Sequence, residues 1–496
     1  MDLLSQYLKM TPEGKRSESC IAMLAALDCV AKVSPSIATQ ILGELNDQRR
    51  FLKMIASENY CSLAVQLAMG NWLTDKYAEG YAHHRFYAGC EHVDAIEDEA
   101  SYNLRELFGA EHAYVQPHSG ADANMIAFWA ILTKRVQIPN IESLQKKSLD
   151  ELTPQEFESL RQLMVNQKLM GMSLNSGGHL THGYRHNASS KIFRAVFYDV
   201  DPETGLLNYD VIWKRAKEEQ PAILLAGYSA YPRKINFAKM REIANDVGAT
   251  LMVDMAHFAG LVAGKVFVGE FNPIPYADVV TSTTHKTLRG PRGGIILCKE
   301  PFKEVIDKGC PLVQGGPLPH VLAAKAIAFA EARQPSFCQY AQKIVINSQA
   351  LAEALIAKGL KVLTGGTDNH MVIVDVSPLG LTGKQAEYAL RQGRITVNRN
   401  AIPFDKNGPW FTSGVRLGTP ALTTLGMGPQ EMKQIGNIIA DCLYNAKPTV
   451  GPQGVINRAS AQIEESVAAK AQAQVQELLQ AFPLYKELII PESIGE

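Results

Sequence analysis

Between Ala222 and Glu300 short apolar runs alternate with a helical pattern, and few folds accept that order. AILLAGYSAY (Ala222–Tyr231) reads as a strand and AKMREIANDVGA (Ala238–Ala249) as a helix. ATLMVDMAH (Ala249–His257) and ADVVTSTTHK (Ala277–Lys286) read as two further strands. Strand cores that are apolar without alternation belong to sheets covered on both faces, as parallel sheets are. The pattern predicts an α/β protein with a mostly parallel sheet flanked by helices and right-handed crossovers. GGIILCKE (Gly293–Glu300) follows a Pro/Gly turn and predicts a strand returning as a hairpin.

With 496 residues the chain is long for one hydrophobic core, so more than one domain is expected. Residues 1–70 read as an N-terminal helical arm and 71–330 as the large α/β domain. Residues 331–496 read as a smaller C-terminal α/β domain with a helical tail. A helical stretch from Pro319 to Ala357 leads into that second region. Its strands are MVIVDV (Met371–Val376) and ITVNRN (Ile395–Asn400). The run from Val455 to Phe482 reads as one helix, with an apolar stripe at 463, 467, 471, 475, 478 and 479. The polar segment Lys134–Gly171 reads as a solvated helical excursion. TPQE (Thr153–Glu156) within it has the form of a capping box with Pro at the first helical position.

Net charge is −1, which leaves no broad field to draw in nucleic acid or an anionic membrane. No apolar run reaches the ~18 residues of a membrane span. The segment Ile21–Val33 is interrupted by Asp28 and Lys32 and reads as an amphipathic helix rather than a leader. The eight cysteines form no CxxC pair. They point to a reducing compartment, the cytoplasm, and away from a thiolate metal site.

Lys286 ends a buried strand, and a charged, unpaired lysine there is costly. Asp254 closes the preceding strand, 32 residues earlier. Ligands of open α/β sheets bind beyond the carboxyl ends of the strands, so both residues belong on one rim. They either form a buried ion pair, or the amine is there to react. A reactive lysine carrying pyridoxal phosphate requires a carboxylate at the pyridine nitrogen, which Asp254 can supply. Ser119 and Gly120 open an apolar helix, where free N–H groups favour an anion; QGG (Gln314–Gly316) is a second Gly-rich candidate. His179, His182 and His186 in GGHLTHGYRH are interrupted by glycines and lack a carboxylate at ligand spacing, so no metal site is expected. A ring on that loop can instead stack on an aromatic cofactor. Arg416, set between glycines in a constrained loop, suits a carboxylate. Glu79, between Tyr77 and Tyr81, is an acid–base candidate.

Nine segments together resemble serine hydroxymethyltransferase. They are ASENY (Ala56–Tyr60), KYAEGY (Lys76–Tyr81), GCEHVD (Gly89–Asp94), VQPHSGADAN (Val115–Asn124), GGHLTHG (Gly177–Gly183), VDMAHFAGLVA (Val253–Ala263), TTHKTLRGPRGG (Thr283–Gly294), QGGP (Gln314–Pro317) and TSGVRLGTPA (Thr412–Ala421). The resemblance implies a fold-type-I pyridoxal phosphate enzyme, a homodimer with shared active sites. It would convert serine and tetrahydrofolate reversibly to glycine and 5,10-methylenetetrahydrofolate, with no nucleic-acid or membrane partner. It implies the cofactor aldimine on Lys286, Asp254 at the ring nitrogen and His179 stacked on the ring, with Ser119, Gly120, His257 and Ser229 beside it. Gly315 and Gly316 would reach the phosphate from the partner chain. Arg416 would hold the amino acid's carboxylate near Ser57 and Tyr77. Glu79, Tyr87, His285 and Thr283 would complete the catalytic set. Folate would lie along Leu174, Gly178, His179 and Leu180, and near Asn400, Gly408, Pro409 and Trp410. The chain departs from the family pattern at Phe86 and at Ala82-His83-His84, which bears on folate contact. A folate-independent pyridoxal phosphate aldolase or racemase would use the same residues around Lys286.

Overall fold

The computed structural model describes residues 2–451 and 454–491. Met1 and residues 492–496, the outer ends of the two terminal regions expected above, lie outside the described residues.

The expected alternation builds a seven-stranded sheet. In chain order its strands are β1 (His112–Tyr114), β2 (Lys168–Met172), β3 (Arg194–Tyr198), β4 (Ile223–Gly227), β5 (Thr250–Asp254), β6 (Val279–Thr283) and β7 (Gly294–Cys298). In space the order is β1-β7-β6-β5-β4-β2-β3. Pairing is parallel from β6 across to β3, and β7 runs antiparallel to both β6 and β1. GGIILCKE is therefore the expected hairpin partner.

The period-2 geometry of strands sends successive side chains of β4, β5 and the start of β6 into opposite cores, which explains their unbroken apolar runs. Leu224, Ala226, Leu251, Val253 and Val280 enter one core, with Phe237, Ile243 and Phe329 from helices. Ile223, Leu225, Met252 and Val279 enter another, against Ile126, Phe128 and Ile131 of the helix Gly120–Leu132. Each fully buried aliphatic side chain contributes about 1.5–3 kcal/mol, and the hydroxyls buried within these strands are hydrogen-bonded: Thr250 accepts from Arg135, Thr281 donates to Asn124 and Ser282 to the Thr283 carbonyl. Polarity begins within β6 at Thr281 and continues onto the rim beyond Asp254 and Thr283.

A second, antiparallel sheet holds β8 (Lys361–Val362), β9 (Met371–Asp375), β10 (Asn398–Asn400) and β11 (Gly414–Gly418), in the order β8-β9-β11-β10. Its core joins Val372, Val374, Val415 and Leu417 to Leu52 and Met54. Leu52–Lys53 pairs in parallel with Ile395–Thr396, so ITVNRN is two short strands in separate sheets rather than one.

Three other expectations are corrected. The stretch Pro319–Ala357 is two helices, Pro319–Ala332 and Pro335–Ala357. Pro335 forces the residue before it out of the helical region, and Gln334 is extended at φ −73°, ψ 146°. The run from Val455 to Phe482 is a strand, Ile456–Gln462, and then a helix, Glu465–Ala481. The strand pairs with Lys447–Val450, and the alternating residues NRASAQ suit an exposed ribbon better than a stripe. The polar excursion stops short of Gly171, because Lys168–Met172 is the buried strand β2. Within the excursion the capping box forms as expected: Thr153 Oγ1 accepts from Glu156 N, and Glu156 Oε2 accepts from Thr153 N.

Glu18–Val33 is the amphipathic helix expected there. Asp28, which interrupts its apolar run, accepts from the N–H groups of Leu3 and Leu4 at 3.0 and 2.9 Å, capping the preceding helix. Among the described residues no helix is long and apolar enough to cross a membrane. All eight cysteines are free thiols.

Candidate active site

Asp254 is the last residue of β5 and pairs with Gly227 of β4 and Thr281 of β6. Lys286 follows the end of β6 by three residues, so both stand on the carboxyl rim as expected. Their side chains do not form an ion pair within 4.0 Å. Asp254 is instead saturated by other donors: Oδ2 accepts from Asn124 Nδ2 at 2.9 Å and from His182 Nε2 at 3.2 Å, and Oδ1 from the N–H of Ala256 at 3.0 Å. Burial alone would raise its pKa. The His182 bond and charge, the charge of His179 and the Asn124 bond more than offset that, and hold it well below the usual carboxylate range.

Lys286 is buried, and among the described residues its amine has no hydrogen bond or ion pair. Burial lowers its pKa to about 8, Asp254 pulling upward while Arg416 and Arg292 push it further down. Of the two arginines near it in sequence, Arg289 turns away, its guanidinium 4.5 Å from the centre of the Tyr340 ring. Asn59 donates to the Lys286 carbonyl at 2.9 Å and to Tyr340 Oη at 2.6 Å, fixing the backbone that carries the amine.

Asn124 is the organiser that the sequence reading overlooked. Besides Asp254, its Nδ2 donates to Thr181 Oγ1 at 2.8 Å, and its Oδ1 accepts from Thr281 Oγ1 at 2.5 Å. It lies one helical turn after Gly120, on the face that meets β6 and β7. That position in the quoted VQPHSGADAN was the available signal.

The histidine loop behaves differently from a metal motif read along the chain. His186 packs against Tyr184, with ring centres 5.4 Å apart, away from the other two. His179 and His182 join Asp254, their ligand atoms all within 4.8 Å of one another. The segment itself has no carboxylate, as read from the sequence, and the one beside its histidines arrives from β5, 72 residues away. Each of these atoms has a protein partner: His179 Nδ1 accepts from the Thr181 N–H at 3.2 Å and bonds Thr181 Oγ1 at 2.8 Å. Burial first, then the charges of His182, Lys286 and Arg416, bring His179 down to about 4, against the pull of Asp254. It is a neutral ring, suited to stacking. Gly178 is required there, since a Cβ would lie 2.0 Å from the Met172 carbonyl oxygen.

His257 is buried, with Nδ1 3.1 Å from His370 Nε2 and the two rings stacked at 5.3 Å. Burial and the charges of Lys286 and Arg416 keep His257 neutral, and the same causes bring His370 to about 3. Ser119 caps the helix Gly120–Leu132: its Oγ accepts from Asp122 N at 3.2 Å and donates to Asp122 Oδ2 at 2.7 Å. A Cβ at Gly120 would meet Thr283 Cγ2 at 2.7 Å, so the helix start lies tightly on the end of β6. Thr283 Oγ1 donates to the Ala256 carbonyl at 3.3 Å. His285 Nδ1 is buried without a partner, and burial, with Arg292 and Lys286, brings its pKa to about 3.

Arg416 lies in the middle of β11 rather than in a loop. The glycines at 414 and 418 serve close approach: a Cβ at Gly418 would come 2.3 Å from Ala56 Cα. Arg416 Nε donates to Asn398 Oδ1 at 3.1 Å and Nη1 to the Ser229 carbonyl, whose own N–H donates to Gly177 O at 2.7 Å. No carboxylate pairs with it among the described residues, and burial lowers its pKa to about 10. Ser57 follows Ala56 in the chain.

A second cluster stands apart. Tyr77 and Tyr87 Oη each reach a different oxygen of Glu79, both at 3.4 Å, and their rings pack at 5.0 Å. The Glu79 charge raises the Tyr87 pKa. Gly316 lies against Glu79 and Tyr77, and its carbonyl accepts from His118 at 3.0 Å; Gly315 O accepts from Cys310 Sγ at 3.4 Å. Within one chain no hydrogen bond, ion pair or ring contact among the described residues joins this cluster to Lys286, Asp254 or Arg416. Of the expected folate residues, Leu174 and Gly178 lie on the 173–183 loop, with Leu180 and Trp410 exposed. Asn400 shares β10 with Asn398, the partner of Arg416, while Gly408 and Pro409 open the short helix Gly408–Phe411. Phe86 is exposed, and His83 bonds Asp98 at 2.7 Å.

A sequence model described as serine hydroxymethyltransferase matches residues 30–143 and 140–439. Curated relatives bearing that name are similar over nearly the whole chain. One from Treponema pallidum (strain Nichols) is 57% identical over 488 residues, covering 98% of this chain and 85% of the relative. One from Salinispora tropica is 54% identical over 94% of this chain and 97% of its own length. One from Chlamydia muridarum is 54% identical over 98% of both. With a free buried lysine and a saturated aspartate on one rim of the seven-stranded sheet, and a buried arginine without a carboxylate partner on β11 of the second sheet, the chain belongs to the serine hydroxymethyltransferase family.

Proposed function

We propose that the residues around Lys286, Asp254 and Arg416 perform the family's reaction, the reversible conversion of serine and tetrahydrofolate to glycine and 5,10-methylenetetrahydrofolate. The enzyme uses pyridoxal phosphate, which supplies a covalent attachment point for the amino acid and an electron sink for the bond that breaks. The residues fit such a group. Lys286 offers an unbonded, buried amine with a lowered pKa, and Asp254 is kept ionised to face a protonated ring nitrogen. His179 offers a neutral ring, and the Ser119–Gly120 helix start offers N–H groups to a phosphate.

The observation that carries this reading is the separation of Lys286 from Asp254. A structural ion pair would join them; here Asp254 is bonded by Asn124, His182 and Ala256, and Lys286 by nothing. Arg416, with Nε and Nη1 used and the rest of its fork free, binds and orients the substrate's carboxylate. His257, stacked on His370 and neutral, lines the site without adding charge.

Glu79, flanked by Tyr77 and Tyr87, is assigned to proton handling at the substrate hydroxymethyl group or at folate. No hydrogen bond, ion pair or ring contact joins its cluster to Lys286 inside one chain among the described residues, which favours a second copy supplying Glu79 to the site, with Gly315 and Gly316 reaching the phosphate from that copy. Folate is assigned to Leu174, Gly178, His179 and Leu180, with Asn400 and Gly408–Trp410 on the facing side. Two chain regions, 71–330 and 331–496, bound the site, with 1–70 as an arm, and the protein works in the cytoplasm. Serine turnover with and without tetrahydrofolate tests the reading. Cleavage should depend on folate, and equal rates in both conditions would favour the aldolase alternative.

A further inference from the structure

Lys325 lies on the helix Pro319–Ala332 and is 1% exposed. Its amine donates to three carbonyl oxygens, of Val115 at 2.6 Å, Pro117 at 3.0 Å and Gly294 at 2.9 Å. Three donors meet three acceptors, and none is a carboxylate. The acid whose charge reaches it, Glu97, is already bound by Arg85 at 2.6 Å and Gln116 at 2.9 Å. Burial lowers the Lys325 pKa to about 7, with Glu97 opposing. If packing were the only demand, an apolar residue would suit so buried a position better.

The three carbonyls identify what the amine holds. Val115 and Pro117 leave β1 toward Ser119, and Gly294 opens β7. The Gly294 N–H donates to Pro117 O at 2.9 Å, and a Cβ at Gly294 would lie 2.1 Å from Ser119 O. Lys325 therefore ties together the two backbone segments on which the Ser119–Gly120 helix start rests. Its positive charge has no carboxylate of its own.

We propose that Lys325 is a positioning residue for the anion seat at Ser119–Gly120, holding the Val115–Pro117 and Gly294 backbone in place for the cofactor's phosphate. This rests on the reading that the phosphate sits at that helix start.

The test compares binding of pyridoxal phosphate and of pyridoxal, which lacks the phosphate, to the full-length apoenzyme by fluorescence quenching. Two variants are used. Lys325→Met removes the three bonds; Gly293→Ala keeps them available but puts a Cβ 2.5 Å from Lys325 Cε. The expected result is a loss of about tenfold or more in pyridoxal phosphate affinity for Lys325→Met, a smaller loss in the same direction for Gly293→Ala, and unchanged pyridoxal affinity for both. Equal losses for the two aldehydes, or no loss, overturn the assignment. If the wild type already binds both aldehydes alike, the anion seat itself is misplaced, a different failure from a variant that keeps the wild-type preference. Should Lys325→Met not fold, Gly293→Ala decides the question by the same ratio.

Discussion

Replacing Arg416 with lysine keeps the charge and removes the fork, so it isolates bidentate recognition. The guanidinium has five N–H donors. One goes to Asn398 and one to the Ser229 carbonyl, which leaves three, enough for two parallel bonds to a carboxylate. Each charge-assisted bond contributes about 1.5–3 kcal/mol, and a lysine ammonium recovers about one of the two. The net loss is about 1.5–3 kcal/mol, or about 10- to 150-fold in serine affinity. Burial enlarges this, since Arg416 brings no carboxylate of its own and its charge is unscreened. The assay is serine binding to the holoenzyme by absorbance titration, beside serinamide, which lacks the carboxylate. Arg416→Lys should weaken serine by about tenfold or more, leave serinamide within about twofold, and keep the cofactor's spectrum. Serine binding unchanged within about twofold, or equal losses for both ligands, would refute carboxylate recognition by this residue.

Asp254→Asn keeps the shape but removes the ionised group at the ring nitrogen. It should lower kcat by about 10²-fold or more, with serine KM little changed because Arg416 is intact; an unchanged kcat argues that the ring nitrogen lies elsewhere. Asn124→Ala removes a donor from Asp254 and the acceptor of Thr281 at once, so it should cost about 1–3 kcal/mol in urea unfolding and also lower kcat, whereas a purely local role would leave kcat alone. Covalent capture of pyridoxal phosphate by the apoenzyme needs a neutral amine, so its rate should rise with pH and level off near 8, where Lys286 titrates, rather than climb toward 10.5. The sign for stability agrees. The folded chain releases this proton earlier than the unfolded one, so the group's contribution to apoenzyme stability rises with pH from about 8 to 10.5. Lys286→Met should flatten that rise in denaturant titrations.

The large sheet was legible because β4, β5 and β6 are buried on both faces, which makes the runs in β4, β5 and the start of β6 apolar without alternation. Asp254 and Lys286 were legible by position, since both follow such runs. What sets their chemistry was not: Asn124, His182 and Ala256 reach Asp254 from a helix, a loop and the turn after β5, and only the fold brings the first two near. Arg416 was found by residue type but misread as a loop residue, because glycines that permit close approach to Ala56 look like turn signals in a single chain. The strand at Ile456–Gln462 was hidden because an Ala- and Gln-rich helix follows it directly. The break at Gln334–Pro335 has a local signal, the proline, set within helix-forming residues on both sides that mask it. Lys325 has no local signal, since all three of its partners are backbone carbonyls distant in sequence.

On the proposed reading the cofactor attaches to Lys286, held free of any hydrogen bond or ion pair on the rim beside Asp254. Borohydride reduction of the holoenzyme, followed by peptide mass mapping, tests it directly. The pyridoxyl mass should fall on the peptide bearing Lys286 and disappear in Lys286→Ala. Label on the buried Lys325, or on any other lysine, would contradict it.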